Sequence, residues 1–374
     1  MKRVACIIVC LMLMSNLTAV SAEDISAEAA VVIDGDTGEI LYSLNCNERL
    51  PMASTTKIMT ALLLCEEGDL SREITVSAEM LRVEGSSMGL LPGDRVTLHD
   101  LLYGMLLASG NDAANVTAFT LGGTVDGFVK MMNQKARQLG LNSTNFETPS
   151  GLDGEEHYTT ARDLALLAKA ALENREFAKA AATWKASLCY GNPPYKRSLT
   201  NHNKLLLRYD GAIGVKTGYT KKSGRCLVSA AERQGKRVIA VTLNDPDDWA
   251  DHTALLDYGF EKIRLTEITP KEGEIRIPVI NGESDFLVVK TEPISVTSSD
   301  GEGFSYNINL PKFLYAPVNR GEKIGSINFK KDEKIIKTVD LCSNEQINQV
   351  IYKASFFEMI IENIKNIFKN IWEN

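Results

Sequence analysis

A change of texture near Leu265 divides this chain before any motif is considered. From there to Cys342 apolar residues fall in short alternating runs, Glu274–Val279, Phe286–Val289, Phe304–Leu310, Gly325–Phe329 and Ile335–Val339, with turn residues between them. Strands this short bury one face each and must pack on one another, which predicts a small all-β domain over residues 265–342. Upstream the periods are mixed. Ala29–Ile33 and Glu39–Ser43 flank a turn at Asp34–Gly38 as a hairpin, and Arg225–Arg233 and Arg237–Leu243 flank Gln234-Gly235 as another. Helical patterns run over Ser54–Glu66, Leu98–Leu107, Val125–Gln138 and Ala161–Glu173, and Thr253–Tyr258 reads as the end of a returning helix. Strands from both ends of the segment, with helices between, predict one mixed α/β domain over residues 23–264.

The two ends of the chain speak about compartment. Lys2 and Arg3 precede an uncharged apolar run, Val4–Met14, and Val20-Ser21-Ala22 offers a small-residue cleavage pattern. The run is too short for a stable span, so residues 1–22 are expected to be a signal peptide, with an uncleaved anchor as the alternative. At the other end, Ser343 and Gln346 have the spacing of a capping box. Ile347, Val350, Ile351, Ala354, Phe357, Ile360, Ile361, Ile364, Ile367, Phe368, Ile371 and Trp372 then recur at helical steps. Charged residues interrupt the stripe too often for a bilayer span. Residues 343–374 are therefore expected to be an amphipathic helix lying on a membrane surface, the alternatives being a core-packed or oligomerising helix.

Composition excludes more than it selects. The 374 residues carry a net charge of −7, which argues against a nucleic-acid partner. The four histidines are scattered and no zinc-like spacing occurs, so neither metal nor cofactor is expected. Beyond the signal segment stand five cysteines, Cys46, Cys65, Cys189, Cys226 and Cys342. That odd number and their wide spacing do not describe a disulfide framework.

The chemistry begins at Ser54. Lys57 follows three residues later, so on a helix the hydroxyl and the amine share a face. Lys57 opens an apolar run, and burial there would depress its pKa and make it a base. Alone this pattern is weak. Lys216-Thr217-Gly218 is rarer, with a chance expectation on the order of 0.1. It precedes the two predicted strands, so a strand edge with an exposed cation, a hydroxyl and no side chain at Gly218 could receive a peptide. Between the two lies Ser109-Gly110-Asn111, on a turn after the apolar stretch Leu101–Leu107. Three motifs in this order carry more than any one of them.

These motifs resemble the signatures of the low-molecular-mass penicillin-binding proteins, specifically the D-Ala-D-Ala carboxypeptidases. Pro51-Met52-Ala53, Asn111–Ala114, Thr160–Ala165, Gly211–Thr220 and Asp257–Phe260 are also similar to that family. The resemblance implies a β-lactamase/transpeptidase-like catalytic domain with a small β domain and a terminal amphipathic helix. It implies Ser54 as nucleophile, Lys57 as its base and Ser109 as proton carrier to the leaving amine. Asn111 would hold the substrate amide, and Lys216 and Thr217 the terminal carboxylate. Gly218 and Tyr219 would line the substrate strand, with the Ser54 and Tyr219 amides as oxyanion hole. The implied partners are peptidoglycan stem peptides, β-lactams as covalent inhibitors, and the outer face of the cytoplasmic membrane.

One departure from the family is visible. Some relatives place an arginine where this chain has Asp245-Pro246-Asp247-Asp248-Trp249, so either Lys216 and Thr217 suffice or another cation, such as Arg225, takes over. Rival readings are a D-Ala cross-link endopeptidase using the same site and a class A β-lactamase, for which Glu155 or Glu156 would have to deacylate. A non-enzymatic wall-binding scaffold is the third. His157 and His202 read as structural.

Overall fold

The computed structural model describes residues 24–350 and 356–372. The expected signal segment, Ile351 and Ala354 lie outside them. The chain divides into two compact units. One runs from the first described residue to Thr266 and takes in Val296–Gly301; the other comprises Glu267–Ser295 and the chain from Glu302.

The first unit is built on five antiparallel strands: β1 (Ala29–Asp34), β2 (Ile40–Leu44), β3 (Ala212–Thr220), β4 (Gly224–Arg233) and β5 (Lys236–Leu243). Their order is β2-β1-β5-β4-β3, so both expected hairpins form and β3 is an edge. The two halves of the unit meet where β1 pairs with β5, Ala29 opposite Leu243 and Asp34 opposite Val238. Strand residues alternate between faces. Ala29, Val31, Ile33, Ile239 and Val241 enter one apolar cluster, while Ala30, Val32, Val238 and Ala240 enter another. A sheet apolar on both faces needs a layer on each. One is supplied by α1 (Lys57–Glu66), α2 (Leu98–Leu106), α3 (Asn111–Gly122), α4 (Val125–Gln138) and α5 (Ala161–Glu173). The other is α6 (Asp248–Lys262), through Leu255 and Leu256.

Local chemistry sets the helix starts. Thr97 and Asp100 form a reciprocal capping box ahead of α2, and Thr160 Oγ1 accepts the Asp163 N–H at 3.0 Å ahead of α5. Helix α3 had no periodic signal because Asn111 through Ala118 are all buried, leaving no polar face to contrast with an apolar one.

The second unit carries the expected strands, Glu274–Ile280, Phe286–Lys290, Phe304–Asn309, Lys323–Lys331 and Lys334–Cys342, around Ile277, Leu287, Val289, Ile327 and Phe329. Two boundaries need correction. Val296–Gly301 groups with the catalytic unit, where Thr297 Oγ1 donates to Asp34 Oδ1 at 2.9 Å. No helix begins at Ser343 either. Its hydroxyl donates to the Glu345 carbonyl, Gln346 turns to Asn348, and Ile347 bridges Val318. Ile347 is buried in the β core, and burying it there outweighs the helical spacing. The terminal helix is α7 (Phe356–Trp372).

Candidate active site

Ser54 sits on a 3-10 turn, Ala53–Thr56, that runs directly into α1, so Lys57 and not Ser54 opens the α-helix. Residues i and i+3 eclipse in a 3-10 turn, which stacks the amine under the hydroxyl. Ala53 is held at φ +45°, a left-handed conformation costing an L-residue about 1–2 kcal/mol. Hydroxyls clamp the turn: Thr55 Oγ1 donates to Met52 O at 2.5 Å and Thr56 Oγ1 to Ala53 O at 2.8 Å.

Lys57 is fully buried, and its Nζ has three neighbours: Asn111 Oδ1 at 2.8 Å, the Ser150 carbonyl at 2.6 Å and Ser54 Oγ at 2.9 Å. Asn111 presents its oxygen because its Nδ2 donates to Glu84 O at 2.6 Å. Burial, with the Lys216 charge nearby, pushes the Lys57 pKa well below that of a free lysine. A neutral amine has two N–H bonds and one lone pair. The two carbonyl oxygens can only accept, so in a neutral Lys57 the lone pair would be left for the Ser54 hydroxyl.

A second wall comes from the turn after α2. Ser109 is held at φ +56°, and the two residues after it anchor the turn: the Gly110 N–H donates to Gly104 O and the Asn111 N–H to Ser86 O. Asp112 collects Ser87 Oγ and the N–H groups of Met88, Gly89 and Leu90, and so draws the loop carrying Ser86 against the site.

The third wall is edge strand β3. A Cβ at Gly218 would lie 3.1 Å from Ala53 Cβ, Met52 O and Ser54 N, so a side chain there would crowd the Ser54 turn. Lys216 departs from expectation: it is buried, not exposed, its Nζ donates to Thr217 O at 2.7 Å, and burial pushes its pKa down to about 7. Strand β3 lies over the Ser54 turn, which removes Lys216 from water.

The walls enclose a cleft of about 630 Å³ lined by Ser54, Ser109, Thr217, Gly218 and Tyr219, all singled out by sequence. Asn111 and Lys57 stand behind Ser54. The lining also includes Ser86, His202, Lys204, Arg225, Asp248 and Trp249. His202 therefore faces the cleft, and burial beside Lys216 lowers its pKa. Arg225 donates to Asp248 Oδ1, and Arg225 and Lys204 lie 5.8 and 5.9 Å from the Trp249 ring. Glu155 and Glu156 are exposed and lie outside this lining. Sequence reasoning missed the Ser150 carbonyl and the Ser86 loop; a backbone acceptor has no residue signature. Among the described residues the five cysteines are free thiols, with Cys46, Cys65 and Cys226 buried.

A hydroxyl aimed at a buried amine, above an edge strand that can receive a peptide, defines a serine hydrolase of the Ser–Lys type. The sequence matches the family described as D-alanyl-D-alanine carboxypeptidase over residues 16–247. It also matches penicillin-binding protein 5, C-terminal domain, over 266–349. It is 35% identical over 347 residues to the D-alanyl-D-alanine carboxypeptidase DacF of Bacillus subtilis, covering 89% of this chain and 88% of that protein. Among solved structures, penicillin binding protein 5 of Haemophilus influenzae superposes with a TM-score of 0.63 at 27% identity, covering 87% of this chain and 98% of that one. The Streptomyces K15 DD-transpeptidase gives 0.61 at 34%, covering 63% and 98%. The chain belongs to the D-alanyl-D-alanine carboxypeptidase family of serine hydrolases, with a transpeptidase-like α/β catalytic domain and a β-rich C-terminal domain.

Proposed function

We propose that Ser54 removes the terminal D-alanine from peptidoglycan pentapeptides through an acyl-enzyme. The observation that carries this is the buried Lys57 Nζ, 2.9 Å from Ser54 Oγ and held there by two carbonyl acceptors. Lys57 takes the hydroxyl proton as Oγ bonds to the carbonyl carbon of the penultimate D-alanine. The Ser54 and Tyr219 amides receive the developing oxyanion, each such donor being worth about 3 kcal/mol where one has been removed. Ser109 relays a proton to the leaving amine, the C–N bond breaks, and water then releases the acyl group. Asn111 holds the substrate amide. Lys216 and Thr217 meet the terminal carboxylate, with Arg225, half-exposed across the cleft beside Trp249, as the cation that compensates for the missing arginine. β-Lactams acylate the same serine and leave slowly.

Residues 1–22 direct export, and α7 holds the enzyme on the outer face of the cytoplasmic membrane. Ile361, Ile364, Phe368 and Trp372 follow one another at three- and four-residue steps and are all exposed. Among the described residues no helix is long and apolar enough to cross a membrane, so the helix would lie in the interface.

Purified protein is expected to release D-alanine from diacetyl-Lys-D-Ala-D-Ala and to be labelled by a fluorescent penicillin, while Ser54→Ala does neither. Persistent labelling of that variant overturns the nucleophile. Penicillin trapping without D-alanine release moves the reading to cross-link endopeptidase.

A further inference from the structure

His157 is buried, outside the chemistry just described, yet it joins the two segments that hold the Ser54–Lys57 pair. Its Nδ1 accepts the Glu147 N–H at 2.9 Å, which leaves the ring proton on Nε2. Nε2 then donates to Thr56 Oγ1 at 2.8 Å, and that hydroxyl donates onward to Ala53 O. The imidazole thus spans from the nucleophile turn to the loop 147–151. The same loop gives the Ser150 carbonyl to Lys57 Nζ and the Pro149 carbonyl to Thr60 Oγ1 at 2.6 Å. Burial keeps the ring neutral, with its pKa pushed down to about 4, so one nitrogen can accept while the other donates. Phe146 packs edge-on at 6.1 Å, a contact that a merely space-filling ring would also make.

We propose that His157 is a positioning residue: by fixing the spacing between turn and loop it keeps the Ser150 carbonyl on Lys57 and the amine's lone pair on Ser54. The idea rests on the Ser54–Lys57 reading above. Losing the bridge would free the carbonyl to shift, and a misplacement of about 1 Å can cost about a hundredfold in rate.

The test is stopped-flow acylation by a fluorescent penicillin, separating the non-covalent Kd from the acylation rate constant, with melting temperatures measured alongside. His157→Gln keeps an N–H near the Nε2 position, whereas His157→Asn keeps only an acceptor near Nδ1. Thr56→Val cuts the bridge from its other end without touching the histidine. His157→Asn and Thr56→Val are expected to lower the acylation rate constant about ten- to a hundredfold, with Kd little changed. His157→Gln should recover most of the rate while melting close to the Asn variant. Wild-type acylation by His157→Asn, equal impairment of Gln and Asn variants, or a loss confined to Kd would each overturn the role. Absence of Ser54 labelling in the wild type defeats the underlying nucleophile reading instead, and the positioning role with it.

Discussion

Two lysines share this site, and burial sets both pKa values below that of a free amine. For Lys57 the consequence is kinetic. Protonation removes the lone pair that the proposed base needs, so acylation is expected to fall as pH drops through its lowered pKa. For Lys216 the consequence is also thermodynamic. Its folded pKa is about 7 against an ordinary 10.5, so between those values the unfolded chain binds the extra proton and stability rises with pH. Lys216→Met, close in volume, is expected to lose most substrate turnover yet melt above the wild type at pH 7. The difference should narrow toward pH 10, where the unfolded lysine approaches its own pKa. Each 1 kcal/mol of relief corresponds to about 2–4 °C. Differential scanning calorimetry across that range reads it directly, and a constant difference would mean that burial of this amine carries no penalty.

Between elements, the site depends on how closely two backbones approach the Ser54 turn. Gly218 brings β3 alongside Ser54, where an added Cβ would need the turn to yield by a few tenths of an ångström. Gly151 is tighter: it adopts φ +86°, and a Cβ there would meet the Ala53 carbonyl oxygen at 1.9 Å. Gly218→Ala is expected to cost about 1 kcal/mol of stability but to slow penicillin acylation disproportionately. Gly151→Ala should cost about 3 kcal/mol, since backbone strain adds to the clash. Urea unfolding and acylation kinetics on both variants separate the effects. A Gly218→Ala enzyme acylating at the wild-type rate would show that the strand has slack where the substrate must lie.

For the whole molecule, the consequential boundary is the one that sequence placed too early. Ile347 belongs to the β-rich unit, bridging Val318, and the Val350 N–H donates to Asn281 O. Truncation after Val350 is therefore expected to leave the melting temperature of that unit unchanged. Truncation before Ser343 removes Ile347 from the core and should cost about 2–5 kcal/mol, the range for losing a large buried aliphatic side chain. With thermal integrity preserved, the truncation after Val350 also tests the membrane reading. Full-length protein should co-sediment with anionic liposomes and the truncated form should not; equal partition would sink the anchor.

The sequence alone determined the division into an α/β catalytic half and a β-rich half, because alternation of period two and helical periodicity are local and survive without tertiary context. It also determined that the Ser54 hydroxyl and the Lys57 amine meet, since the two residues are three apart and any helical turn stacks them. The tertiary structure decided what depended on distant chain segments meeting. The burial of Lys216, the Ser150 carbonyl on Lys57, and the place of His202, Arg225 and Trp249 in one cleft all arise from loops separated by dozens of residues. Helix α3 was illegible for a related reason: enclosed on every side, it shows no amphipathic contrast. The segment at Ser343 marks the same limit from the other direction. Its local pattern fitted a helix, and the free energy of burying Ile347 in a β core chose otherwise.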